Sequence, residues 1–318
     1  MAVDYLQKIL TAKVYDVAIE SPLDLAPTLS HRIGNRVLLK REDQQPVFSF
    51  KLRGAYNKMA QLSVAERARG VITASAGNHG QGVALAAQRL SCKATIVMPI
   101  TTPKIKIQAV ETRGAKVVLH GDSFSDAYAH ALKLQKARRA TFVHPYDDPD
   151  VIAGQGSIAV ELIHDLEDFD TVLVPIGGGG LIGGISLYLK SLRPKVRVVG
   201  VEPVGADGMS RSLKAGRVVT LDRVNTIADG LAASAPGKLN LELAQRYVDE
   251  VILVEEAEML RAIRLLFEWE HLLAEPAGAA AIAALLYHYS PSPGERVVVI
   301  LSGANVTDEV MIRALKSR

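Results

Sequence analysis

Residues 171–189, TVLVPIGGGGLIGGISLYL, run for nineteen positions without a charge, yet six of them are glycine and one is Pro175. This stretch sets the strongest limit on the fold. A membrane helix needs about twenty predominantly apolar helical residues, and a proline followed by four glycines interrupts one. The segment reads as a buried strand, a loop and an apolar helix. Glycines let a backbone approach a ligand closely. The N–H groups of such a loop, backed by a helix N-terminus, form a site suited to phosphate. A tight strand-to-helix turn is the plainer alternative, but four consecutive glycines carry an entropic cost that a plain turn does not require.

Short apolar runs alternate with longer helical patterns through the rest of the chain. The strands expected are Val37–Leu39, Val71–Ala74, Ala94–Met98, Lys116–Leu119, Phe142–His144, Thr171–Ile176, Val196–Val201, Val251–Val254 and Val297–Leu301. Helical patterns lie between them, as at Gly80–Leu90, Lys104–Thr112, Phe124–Ala137, Gln155–Leu166 and Leu181–Leu192. Continuous apolar strands joined by crossovers imply an α/β fold of parallel sheets flanked by helices. Only three of the nine strands fall between Asp43 and Phe142. The expectation is therefore a large domain, 1–42 with 144–318, and an inserted smaller α/β domain, 43–143.

With 318 residues, 48% of them hydrophobic, the chain can bury a core without metal or disulfide staples. Lys and Arg number 37 against 34 Asp and Glu, a net charge of +3. No run of basic residues marks a nucleic-acid surface, so neither nucleic acid nor membrane is expected as a partner. Asp4, Lys8, Lys13, Asp16 and Glu20 interrupt any signal-peptide core. A single cysteine, Cys92, forbids an intrachain disulfide and fits the cytoplasm. Cys92 is read as inert. Leu266, Phe267 and Trp269 are read as core or subunit interface, and His144 and Asp147 as a surface turn.

Two readings of the glycine loop compete. Gly178, Gly180 and Gly183 fit G-x-G-x-x-G, with Glu202 at the end of the next apolar strand, the pattern of an NAD(P) oxidoreductase. The other reading draws on Ser49-Phe-Lys-Leu-Arg-Gly54 and Ser75-Ala-Gly-Asn-His-Gly-Gln-Gly82. The second motif follows a strand and opens an Ala-rich helix, so its N–H groups suit a carboxylate. Lys51, between Phe50 and Leu52, becomes nucleophilic if desolvated, although most lysines keep their ammonium in water. A non-catalytic binding module, with Lys51 dispensable, is a third possibility.

These motifs, with the tetraglycine loop and Leu301-Ser-Gly-Ala-Asn305, resemble the pyridoxal-phosphate threonine dehydratases of the tryptophan-synthase-β (fold type II) family. Lys40-Arg-Glu-Asp-Gln44, Val151-Ile-Ala-Gly-Gln-Gly156 and Ala274-Glu-Pro-Ala-Gly278 extend the resemblance over essentially the whole chain, in order. Tyr5–Asp43 looks closest to the biosynthetic branch. The resemblance implies that Lys51 holds pyridoxal 5'-phosphate as a Schiff base and then serves as general base, with Phe50 beside the ring. Gly177, Gly178, Gly179, Gly180 and Leu181 would hold the phosphate. Asn78 would meet the ring hydroxyl and Ser302 the pyridine nitrogen. Ser75, Ala76, Gly77, Asn78 and His79 would cradle the substrate carboxylate. The implied reaction converts L-threonine to 2-oxobutanoate and ammonia, and L-serine to pyruvate, in a homo-oligomer, a dimer or tetramer.

Three departures bear on that reading. Serine racemases on the same scaffold carry a serine base where this chain has Ala76, which favours elimination; racemase and hydroxyaspartate dehydratase remain the in-family alternatives. The divalent-cation pattern of those relatives is matched only by Glu202 and Ala206, with Gly208 in place of the expected Asp, so no metal is expected. Biosynthetic relatives usually carry an isoleucine-binding regulatory domain; the sequence ends at Arg318, so feedback through one is not expected.

Overall fold

The computed structural model describes residues 3–317. Its ten strands are β1 (Leu23–Leu25), β2 (Arg36–Arg41), β3 (Val71–Ala74), β4 (Ala94–Met98), β5 (Lys116–Leu119), β6 (Thr141–Phe142), β7 (Thr171–Pro175), β8 (Arg197–Pro203), β9 (Glu250–Val254) and β10 (Arg296–Leu301). They form a six-stranded sheet in the order β1-β2-β10-β7-β8-β9 and a four-stranded sheet in the order β5-β4-β3-β6. Every pairing is parallel except β1 with β2.

Both faces of the large sheet are covered, which is why its strands read as unbroken apolar runs. Val297, Val299 and Leu301 pack with the helix Pro276–Tyr287 on one face. Val298 and Ile300 pack with the helices Pro149–Asp165 and Gly180–Leu192 on the other. The small sheet divides in the same way, Ile96 and Met98 to one face and Ile72, Ala74 and Val97 to the other. No helix among the described residues is long and apolar enough to cross a membrane.

Three elements differ from expectation. β1 has only three residues and pairs antiparallel at the edge, Leu23 against Lys40, so it is too short to show alternation. The strand expected at Phe142–His144 ends at Phe142, because the His144 ring turns the chain: its Nδ1 accepts from the N–H groups of Tyr146 and Asp147. The helix expected from Gln155 begins at Pro149, with Asp148 accepting from the N–H groups of Asp150 and Val151. Gly154 and Gly156 disguise this helix. A Cβ on Gly154 would stand 2.6 Å from the Cα of Gly54, so a small residue there sets the approach of the lysine-bearing helix Lys51–Ala60.

Candidate active site

The helix Lys51–Ala60 is packed between Asn78–Arg89 and Pro149–Asp165. Gly82 of the first lies against the Lys51–Leu52 backbone, where a Cβ would be 3.0 Å from Leu52 N. Arg53, fully buried one half-turn on, binds Glu42 through Nε and Nη2, each at 2.8 Å, and also pairs with Glu161. Glu161 in turn holds Lys40 at 2.9 Å. Burial and this lattice of opposite charges fix the helix, and with it Lys51 at its first position.

Lys51 opens into a narrow cleft also lined by Phe50, Asn78, Tyr146, Gly177, Gly178, Gly179, Gly180, Leu181, Glu275 and Ser302. Its Nζ donates to the Pro145 carbonyl at 3.0 Å and sits 5.2 Å from the Phe50 ring centroid. Burial lowers the amine from 10.5 to about 8, with Glu275 opposing the shift. The positive end of a helix also disfavours an ammonium there.

β7 delivers the glycine loop to the opposite wall. Gly179 takes φ 93° as the residue preceding the helix Gly180–Leu192, a conformation that favours glycine. A Cβ on Gly178 would lie 2.2 Å from the Tyr146 ring. Loop N–H groups and the helix N-terminus thus line a concavity suited to a phosphate.

The third wall comes from the segments that follow β2 and β10, neighbouring parallel strands of the large sheet. Ser49 and Gly303 form an antiparallel bridge, and Phe50 N–H donates to the Ser302 carbonyl. Ser302 Oγ is buried and donates to the Ala277 carbonyl at 3.3 Å. Asn78 is held on both sides of its amide: Nδ2 donates to Glu275 Oε1 at 2.5 Å, and Oδ1 accepts from Asn305 Nδ2 at 2.7 Å. Burial raises Glu275 from 4.5 to about 7, against the Asn78 hydrogen bond.

The structure therefore brings Phe50, Lys51, Asn78, Gly177, Gly178, Gly179, Gly180, Leu181 and Ser302 into one cleft. Ser75, Ala76 and Gly77 form the half-buried turn between β3 and the helix Asn78–Arg89, and are not among the residues lining it. His79 is buried with Nε2 on the Val143 carbonyl, 3.0 Å. Burial lowers its pKa to about 3, so the ring is neutral.

Two residues escaped the sequence reading. Glu275 lies in a motif that carried the resemblance, but nothing in the sequence marks it as facing Lys51. Tyr146 belongs to a segment read as a surface turn; it is a turn, but a half-buried one that lines the cleft, with His144 edge-on against Tyr146 at 4.7 Å. Asp147 accepts from the N–H groups of Lys238 and Leu239, opening the helix Lys238–Tyr247. The proline and the polar residues of His144-Pro-Tyr-Asp-Asp148 imitate an exposed turn.

Glu202 does not gather a cation set. Its two oxygens accept from the N–H groups of Met209 and Ser210, each at 2.8 Å, while Asp207 pairs with Arg211. No group of three or more potential metal-binding side chains occurs among the described residues. The same two hydrogen bonds engage the carboxylate that a dinucleotide ribose would require. Cys92 is half-buried with its thiol pushed up by burial, so it is no ready thiolate.

The donor set fits a phosphorylated aldehyde: a desolvated amine, a backbone phosphate cradle and a neutral hydroxyl face one another. Comparison with known proteins agrees. The family model for pyridoxal-phosphate dependent enzymes matches residues 14–303. A threonine dehydratase of Nicotiana attenuata is 50% identical over 304 residues, covering 95% of this chain and 51% of that protein. An L-threonine ammonia-lyase of Thermotoga maritima is 45% identical over 300 residues, covering 94% of this chain and 75% of the relative. The processed form of threonine deaminase isoform 2 from Solanum lycopersicum superposes with a TM-score of 0.95 at 47% identity, covering 98% of this chain and 91% of that one. The chain spans about half the length of several curated relatives it matches. On its fold, its cleft and these matches, the chain belongs to the pyridoxal-phosphate dependent enzymes of fold type II.

Proposed function

We propose that this chain is an L-threonine ammonia-lyase, converting L-threonine to 2-oxobutanoate and ammonia and L-serine to pyruvate and ammonia. The observation that carries the proposal is Lys51: a buried amine, lowered to about 8, facing a backbone anion cradle. The names of the Nicotiana and Thermotoga relatives support the substrate.

When bound, pyridoxal phosphate supplies an electron sink for charge developing at the substrate Cα. The N–H groups of Gly177–Leu181 would hold its phosphate, and Ser302 Oγ would meet its ring nitrogen as a neutral partner. Asn78, fixed by Glu275 and Asn305, would meet the ring hydroxyl. Lys51 Nζ would take the α-proton of the substrate; an amine poised near working pH suits general-base catalysis. Ser75, Ala76, Gly77, Asn78 and His79 are assigned to the substrate carboxylate through the backbone at the start of the helix Asn78–Arg89. Ala76 supplies no acid or base, which supports elimination over racemisation.

The proposal extends to segment 43–143 as the small domain and 1–42 with 144–318 as the large one, and to a cytoplasmic homo-oligomer, dimer or tetramer. Exposed Phe267, Leu273, Ile312 and Leu315 support self-association. The test is to incubate the protein with pyridoxal phosphate and L-threonine and assay 2-oxobutanoate. Oxo acid formed by the wild type and absent with Lys51→Ala is the expected result. D-Serine from L-serine without oxo acid would move the assignment to a racemase, and turnover retained without Lys51 would overturn it.

A further inference from the structure

We infer that Asn240 is a positioning residue for the phosphate cradle, an inference that rests on reading the cleft as a pyridoxal-phosphate site. Asn240 lies in the first turn of the helix Lys238–Tyr247 and has no solvent exposure. Its Nδ2 donates twice, to the Gly178 carbonyl at 2.8 Å and to the Tyr146 carbonyl at 3.1 Å. Those carbonyls belong to two segments that pack together and both line the cleft: the glycine loop, and the 144–147 segment whose Pro145 carbonyl receives Lys51.

The peptide geometry gives this contact its consequence. In a trans peptide the C=O and the following N–H point in opposite directions. Drawing the Gly178 carbonyl toward Asn240 therefore aims the Gly179 N–H the opposite way, and Gly179 itself lines the cleft. Gly237 N–H reinforces the same carbonyl at 3.0 Å. The Tyr146 carbonyl has no other hydrogen-bond donor among the described residues. Asp147 completes the clamp by accepting from the first N–H groups of the Asn240 helix.

The other amide atom shows how closely the position is shaped. Asn240 Oδ1 is buried without a partner and would stand 3.2 Å from a Cβ on Gly183. A Cβ on Gly179 would stand 2.8 Å from the Asn240 Cβ. An unmatched buried amide oxygen is unfavourable, and an apolar residue would avoid it. The two donated bonds are what the asparagine contributes in return.

The test compares two ligands that differ only in the phosphate. Apoprotein is titrated with pyridoxal phosphate and with pyridoxal, both of which engage Lys51, for the wild type, Asn240→Ala and the isosteric Asn240→Asp, which sets acceptors against both carbonyls. Leu241→Ala, a buried neighbour on the same helix, controls for loosened packing. Loss of one positioned hydrogen bond should weaken pyridoxal phosphate by about tenfold in Asn240→Ala, and more in Asn240→Asp, while pyridoxal affinity stays within about twofold. Leu241→Ala should lower the thermal midpoint and leave the ratio of affinities unchanged. Equal losses for both ligands, or an unchanged ratio in whichever Asn240 variant folds, overturns the role of Asn240. A wild type with no preference for pyridoxal phosphate over pyridoxal would instead overturn the reading of the cleft.

Discussion

Lys51 and Glu275 are buried ionisable groups of opposite sign on one cleft, and each is displaced toward its neutral form by burial. For Lys51 the neutral amine dominates above about 8. The rate at which apoprotein captures pyridoxal phosphate should therefore rise with pH and level off above that value, as stopped-flow absorbance can show. Glu275 gives a stability signature. Its folded pKa of about 7 lies above the ordinary 4.5, so between those values the folded state keeps a proton that the unfolded state has released. Stability contributed by this group then falls as pH rises through the window, by up to about 3 kcal/mol. Glu275→Gln should flatten that slope; urea midpoints at pH 5 and pH 7.5 for both proteins measure it, and parallel slopes would refute it. Gly178→Ala places a methyl in the Tyr146 ring. Overpacking of ~1–3 kcal/mol should reduce cofactor affinity about tenfold, with recovery in the Gly178→Ala/Tyr146→Ala double variant. The resemblance could single out Lys51 and the glycines because their motifs are local, and folding brings them into one cleft. Glu275 was not legible: a charge just before an apolar alanine-rich helix looks like ordinary capping, and only folding places it against Asn78.

At the scale of elements, the helix carrying Lys51 depends on Arg53. Arg53→Met would leave Glu42 and Glu161 buried and short of their cation, although Lys40 still reaches Glu161. Breaking a buried pair in this way costs ~3–5 kcal/mol, and chemical denaturation should show a loss of that order. A change below about 1 kcal/mol would mean that the lattice is not what anchors the helix. Most strands were readable to within a residue or two because both faces of each sheet are buried, leaving runs of Val, Ile and Leu. The exceptions have physical causes. β1 is three residues long, β6 is curtailed by the His144 turn, and the start of the helix Pro149–Asp165 is signalled by Asp148 and Pro149 but masked by glycines needed for close helix packing.

Across the whole molecule, the cleft is assembled from segments near residues 50, 78, 146, 178, 275 and 302. A ligand held by all of them ties together parts of the chain that separate on unfolding. At a free cofactor concentration of 100 times its Kd, linkage adds about 2.7 kcal/mol, so the holoprotein should melt several degrees above the apoprotein in a thermal scan. None of this topology could be read from periodicity, which identifies strands without ordering them. The order matters in one further way. β10, the last strand in sequence, occupies the middle of the large sheet, between β2 and β7. A ribosome must synthesise Leu301 before that gap can be filled. Until then β2 and β7 present unpaired edges, the kind of surface that recruits other strands. From the completion of β8 at Pro203 until Leu301 is made, the growing chain therefore holds its large sheet as two separate pieces, each with an open edge.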